Sequence, residues 1–418
     1  MGIVWKGLVD GYLSEEEVRR TAREGLARLP VDGRSLLVII PDGTRTMPMP
    51  LMFDILEREL GPRVASLDFL VALGTHSPMD DAALSRLVGR PVVNGRAGAR
   101  RIFNHQWDDP ETFVELGTLP AEAVEQATGG LLSRSVTVAL NRLAVEHDHV
   151  LICGPVFPHE VAGFSGGTKY LFPGIAAPEI IHFTHWLGAL ITSSVVIGTI
   201  DTPVRAIIDK AAALLETPLS LLALVVTHDG TAGVFCGDPH AAWRGAASLS
   251  SQRHVIWVDE PYDRVLAVMP KMYDDIWTAA KGAYKTEPVV SDGGEIIIYA
   301  PHVTEVSYVH GQLIEEIGYH CRDYFLSQWD RFAGYPGGIL AHSTHVKGLG
   351  TCEPGGEEMP RIQVTLATGI SRERCERINL GYRDPASIDP GAWPTYGDAR
   401  SLVVSPAGEQ LYRLKPPA

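Results

Sequence analysis

Lys169 stands ten residues after His159 and sixteen before His185, in a glycine-rich run that reads PHEVAGFSGGTKYLFPG from Pro158 to Gly174. A lysine amine can tether or attack an electrophilic carbon, and an imidazole can carry a proton near neutral pH or donate a nitrogen to a metal. Gly166 and Gly167 let the backbone come close to a flat ligand or a phosphate. The run is not a P-loop, because the order G-x-x-x-x-G-K-[ST] is absent. Taken alone, it also reads as a loose structural turn. His182 lies three residues before His185, a spacing that puts both on one face of a helix. No H-E-x-x-H arrangement accompanies them, so a packed or capping helix histidine is the plain alternative.

Two earlier segments carry similar chemistry. In PDGTRTMPMP, from Pro41, Arg45 offers a planar donor fork for a carboxylate or phosphate, and Asp42 can orient it or cap backbone amides; Gly43 and Thr44 complete the turn. The bland reading is an ion pair in an ordinary β-to-α turn. In ALGTHSP, from Ala72, His76 follows a strand directly and is either a proton carrier or a structural hydrogen-bonding group.

The elements that must position these groups alternate between short apolar runs and helical patterns. SLLVIIP from Ser35, SLDFLVAL from Ser66, DHVLICG from Asp148 and LLALVVT from Leu221 read as strands, with a helix from Pro50 to Leu60 and another through Asp80 to Val88. That rhythm predicts an α/β fold with a mainly parallel sheet and helices on both faces, whose ligand crevice lies beyond the carboxyl ends of the strands. A joint near residue 261 divides an N-terminal domain, 1–261, from a second α/β domain, 262–418. The second begins with strands at Arg264 and Gly294 and a helix from Asp274, and ends in an irregular tail from Asp389. A cleft between the two domains is expected to hold the active site.

Composition sets the class. With 418 residues, 45% apolar, 21% charged and a formal net charge of −14, the chain can bury a large core and disfavours nucleic acid and membrane surfaces as partners. The start lacks the pattern of a signal peptide, and no apolar run is long enough to span a bilayer, so a cytoplasmic location is expected. Five cysteines without a C-x-x-C pair argue against a disulfide framework and a thiolate zinc site.

In order, D-x-T-R, G-x-H, P-H-x-x-A-G-x-x-G-G-x-K-x-x-x-P-G and a histidine sixteen residues past the lysine resemble the lactate racemase family, which uses a nickel-pincer nucleotide. The resemblance runs from Asp42 to the Lys281 region. It implies that Lys169 is the covalent anchor of the pyridinium-derived mononucleotide and that His185 is the protein ligand to nickel. It makes His76 and His159 the acid/base pair and places Asp42, Gly43, Thr44, Arg45, Gly166 and Gly167 around the cofactor. The implied reaction inverts C2 of a 2-hydroxy acid by moving the hydride to the cofactor and back, and proteins that build the cofactor are implied as partners.

WTAAKG, from Trp277, resembles the family segment Tyr-Gln-x-x-Lys-G that lines the substrate pocket. Lys281 keeps the lysine, which with Arg45 would hold the substrate carboxylate; Trp277 and Thr278 replace the other two residues. Together with polar residues at His302, Glu305, His310, Gln312, His342, Ser343, His345 and Lys347, read as strand ends and loops, the exchange points to a substrate larger and more polar than lactate, such as a sugar (aldonic) acid. Lactate or another small 2-hydroxy acid, a non-catalytic carrier of the nucleotide, and a conventional metal hydrolase stay open as alternatives.

Overall fold

The structure, a computed structural model, describes residues 2–395 and 400–416. Two compact units emerge: residues 1–157, 164–181 and 200–253 form the first, and 158–163, 182–199 and 254–418 the second.

The strands of the first unit's main sheet are Val4–Gly7 (β1), Ser35–Ile40 (β2), Ser66–Val71 (β3), Arg96–Ala97 (β4), Arg100–Asn104 (β5), His149–Pro155 (β6), Leu219–Thr227 (β7) and Gly230–Gly237 (β8). They pair in the order β1-β8-β7-β6-β2-β3-β5-β4. From β7 to β5 all pairings are parallel, and the hairpins β7–β8 and β4–β5 and the β1–β8 pair supply antiparallel edges. Continuous apolar runs suit the middle strands because both of their faces are covered, and Leu36 through Ile40 are fully buried. The helix Met49–Leu60 turns Met52, Phe53, Leu56 and Leu60 inward at helical spacing, while Ser14 and Glu17 close a capping box on the helix Glu15–Leu26. The consequence for function is positional. The adjacent parallel strands β3, β2 and β6 end at residues 71, 40 and 155, immediately before the loops that carry His76, Arg45 and the glycine-rich run.

The second unit holds Tyr262–Val268 (β9), Val290–Ala300 (β10), Gln363–Thr368 (β11), Gly381–Tyr382 (β12) and Ser401–Val404 (β13), all parallel in the order β12-β11-β10-β9-β13. Three expectations need correction here. The helix from Asp274 is two short turns, Ile276–Ala279 and Lys281–Tyr284, the first capped by Asp275 through the Thr278 amide. The tail is not irregular throughout: Ser401–Val404 joins the sheet, and Leu411–Leu414 pairs with Val255–Val258, because SLVV and LYRL are rich in residues that suit a strand. AHSTHVK is not a solvated loop but most of the helix Gly337–Lys347, buried from Gly338 to Lys347. Two of its polar residues find partners inside, the Ser343 hydroxyl donating to the Gly318 carbonyl and the Lys347 ammonium to that of Asn379, whereas the buried His345 Nε2 has no hydrogen-bond partner among the described residues.

Candidate active site

In the first unit, Asp42 follows β2 and is buried. Its Oδ1 accepts from the Thr44 amide at 3.0 Å and the Thr44 hydroxyl at 2.7 Å, and its Oδ2 lies 2.5 Å from His76 Nδ1. Burial works to raise the Asp42 pKa, but His76, Arg45 and Thr44 outweigh it and hold the carboxyl well below the usual carboxylate range. A carboxylate can only accept, so His76 carries its proton on Nδ1 and presents the Nε2 lone pair. His76 itself is held by its amide on the Leu73 carbonyl, and the neighbouring Gly74 bonds the Gly174 carbonyl, tying this loop to the end of the glycine-rich run.

A pocket of about 390 Å³ opens here, lined by Asp42, Arg45, Phe157, Gly166, Lys169 and Tyr170 among others. The Arg45 guanidinium lies 5.7 Å from the Phe157 ring centroid. Gly166 and Gly167 both adopt positive φ, and a Cβ at either would strike Val156 or the Trp243 indole. The room these glycines provide is therefore taken by protein, and Gly166 meets the pocket with its backbone. Gly43, in contrast, is exposed.

Two residues that sequence reasoning did not single out hold the lysine loop from behind. Arg205, fully buried, donates to the carbonyls of Phe164 and Gly166 and to the Thr168 hydroxyl, and stacks 4.1 Å over Trp243. Burial lowers its pKa to about 10. Trp243 Nε1 in turn donates to the Ser165 carbonyl at 2.9 Å. Neither carries a signal beyond an arginine and a tryptophan on separate helices.

His159, His185, Trp277, Thr278 and Lys281 belong to the second unit. Buried His159 accepts the Val161 amide on Nδ1 at 3.1 Å, with Glu160 Oε2 3.3 Å from the same nitrogen. His185 sits on the helix Pro178–Ile191 and, with His345 and His310, adds to the burial that keeps the His342 imidazole neutral. The Trp277 ring is braced by His310 at 4.5 Å and His342 at 4.2 Å, and His342 Nε2 meets the Tyr319 hydroxyl at 3.3 Å. Thr278 donates its amide and hydroxyl to Asp275, whose pKa is raised by burial. The Lys281 ammonium, mostly buried, lies 4.0 Å from the Tyr273 ring centroid. Among the described residues, no group of three or more His, Cys, Asp or Glu is placed to hold a metal ion.

Loops at the carboxyl edge of a parallel sheet, with a carboxylate-backed histidine and a lysine pocket, define an α/β domain built for a small ligand. Residues 17–197 match the profile of the lactate racemase N-terminal domain. The lactate racemase of Thermoanaerobacterium thermosaccharolyticum is 27% identical over 301 residues, 69% of this chain and 66% of that protein. The lactate racemase of Lactiplantibacillus plantarum is 27% identical over 280 residues, 64% of this chain and 60% of that protein. The matched stretches thus span less than two thirds of those relatives. A crystal structure of a protein from Thermotoga maritima superposes with a TM-score of 0.89 at 33% identity, covering 98% of this chain and 100% of that one. The lactate racemase apoprotein from T. thermosaccharolyticum, 19% identical, shares the fold with a TM-score of 0.71 over 97% of this chain and 94% of that one. Residues 17–197 thus belong with the lactate racemase N-terminal domain, and the chain as a whole is similar to lactate racemases.

Proposed function

We propose that this protein is a 2-hydroxy acid racemase or epimerase that works with a nickel-pincer nucleotide on a substrate larger and more polar than lactate, such as an aldonic acid. The observation that carries the reading is the Asp42–His76 pair beside a pocket lined by Arg45 and Lys169. The residues fit the cofactor. Lys169 supplies an amine for a covalent tether, Arg45 a cation for a carboxylate or phosphate, and the backbone at Gly166 a surface on which a flat ring can lie. His185 offers one imidazole, a donor that nickel(II) would accept from the protein. When bound, the cofactor would supply the hydride acceptor that the reaction at C2 requires.

The chain's own groups do the rest. His76, its Nδ1 proton held by Asp42, takes the hydroxyl proton at Nε2, and His159 serves the hydroxyl in the opposite substrate orientation. The resemblance to the family assigns the substrate carboxylate to Arg45 and Lys281. Trp277, braced by two imidazoles, and Thr278 stand where the family segment has Tyr and Gln; with His310 and His342 they favour a substrate that brings further hydroxyls.

Protein from a host that makes the cofactor is expected to contain about one nickel per chain and a mass increment on Lys169. With 2-hydroxy acids from lactate to aldonic acids in deuterated water, stereoinversion without deuterium at C2 is the expected outcome. Deuterium at C2 would replace hydride transfer with carbanion chemistry. Nickel and the Lys169 adduct present without turnover of any 2-hydroxy acid, and unchanged in a His76→Ala, His159→Ala double variant, would reduce the protein to a carrier.

A further inference from the structure

His159 and His76 are backed by carboxylates of different kinds. Behind His76 a single buried acceptor, Asp42, fixes one tautomer. Nδ1 of His159 has two competing neighbours. The Val161 amide donates to it at 3.1 Å, which requires a lone pair there and puts the neutral ring's proton on Nε2. Glu160 Oε2, 3.3 Å away, can only accept when ionised, and so favours the opposite tautomer, with the proton on Nδ1 and the lone pair on Nε2. Glu160 is mostly shielded, its side chain 18% exposed, and its charge also reaches His345, another fully buried imidazole of the same unit.

We propose that Glu160 is a positioning residue that sets the tautomer of His159: drawing the proton to Nδ1 makes Nε2 a base, and yielding Nδ1 to the Val161 amide makes Nε2 a donor. The proton bookkeeping is simple. A hydroxyl proton arriving at Nε2 gives an imidazolium whose Nδ1–H is met by Glu160, and return of the proton to the substrate oxygen restores the neutral ring. His76 is locked in the accepting form, whereas His159 toggles between two forms. The inference rests on the acid/base role given to His159 above.

Two-bond proton–nitrogen correlation spectra of the nitrogen-15 histidine-labelled, cofactor-free full chain test it, with His159 assigned through His159→Gln. In the unsubstituted protein, His159 is expected to give averaged nitrogen shifts from both tautomers and His76 those of an Nδ1–H ring. Glu160→Gln is expected to move His159 to the Nε2–H pattern, leave His76 unchanged, and slow the loaded enzyme about tenfold. Glu160→Asp is expected to recover part of both signals. Identical His159 shifts in the unsubstituted and Glu160→Gln proteins overturn the proposal. A missing Lys169 adduct in loaded protein would instead overturn the functional reading, while leaving the tautomer result standing.

Discussion

Asp42 in the first unit and Glu287 in the second are both buried carboxyls, yet their pKa values shift in opposite directions. Glu287 accepts the Leu349 amide at 2.7 Å and has Arg361 nearby, but desolvation dominates and raises its pKa. At Asp42 desolvation is overcome by an imidazole, a guanidinium and a threonine arriving together. Elsewhere in the second unit burial likewise disfavours charge, raising the Asp275 pKa and pulling His345 down to about 4. Burial alone thus does not mark a working charge; convergent partners that outweigh it do.

Substitutions that break the charged side of this contrast should have the largest effects. Lys169→Ala is expected to abolish both the covalent increment and turnover, read by intact-protein mass and by stereoinversion. Next comes Asp42→Asn, which leaves the shape but can hand His76 the wrong tautomer; turnover is expected to fall about a hundredfold or more, with the Lys169 adduct retained. A double variant, Trp277→Tyr with Thr278→Gln, restores the family's residues in the second unit and is expected to move the kcat/KM ratio of lactate to aldonic acid about tenfold toward lactate.

The neutral side yields the smallest effect. The His345 pKa is depressed from 6.5 to about 4, so the unfolded chain binds its proton first as pH falls. Stability from this residue is complete above pH 6.5 and is lost as the pH falls toward 4. His345→Gln is expected to flatten that part of the melting profile, narrowing the drop in Tm by about 2–4 °C.

Much of the charged side was legible in the sequence. Strands such as SLLVII announce themselves because a sheet covered on both faces needs an unbroken apolar run, and the loops that follow β2, β3 and β6 therefore fall where function is expected. The neutral side was not. The helix Gly337–Lys347 has two glycines at its start and no apolar stripe, since it is buried on all sides; periodicity has nothing to register there. Contacts between distant segments were equally hidden: Arg205 and Trp243 reach the lysine loop from 37 to 78 residues away.

That last pair bears on how the glycine-rich signature should be used. Phe164–Gly174 does not rely on its internal hydrogen bonds alone: Arg205 gathers its carbonyls and Trp243 fills the side that Gly167 leaves bare. Grafted onto another scaffold without both residues, the loop would carry the lysine but lose its aim. A search pattern that appends this arginine and tryptophan would separate chains that can seat the loop from those that merely spell it.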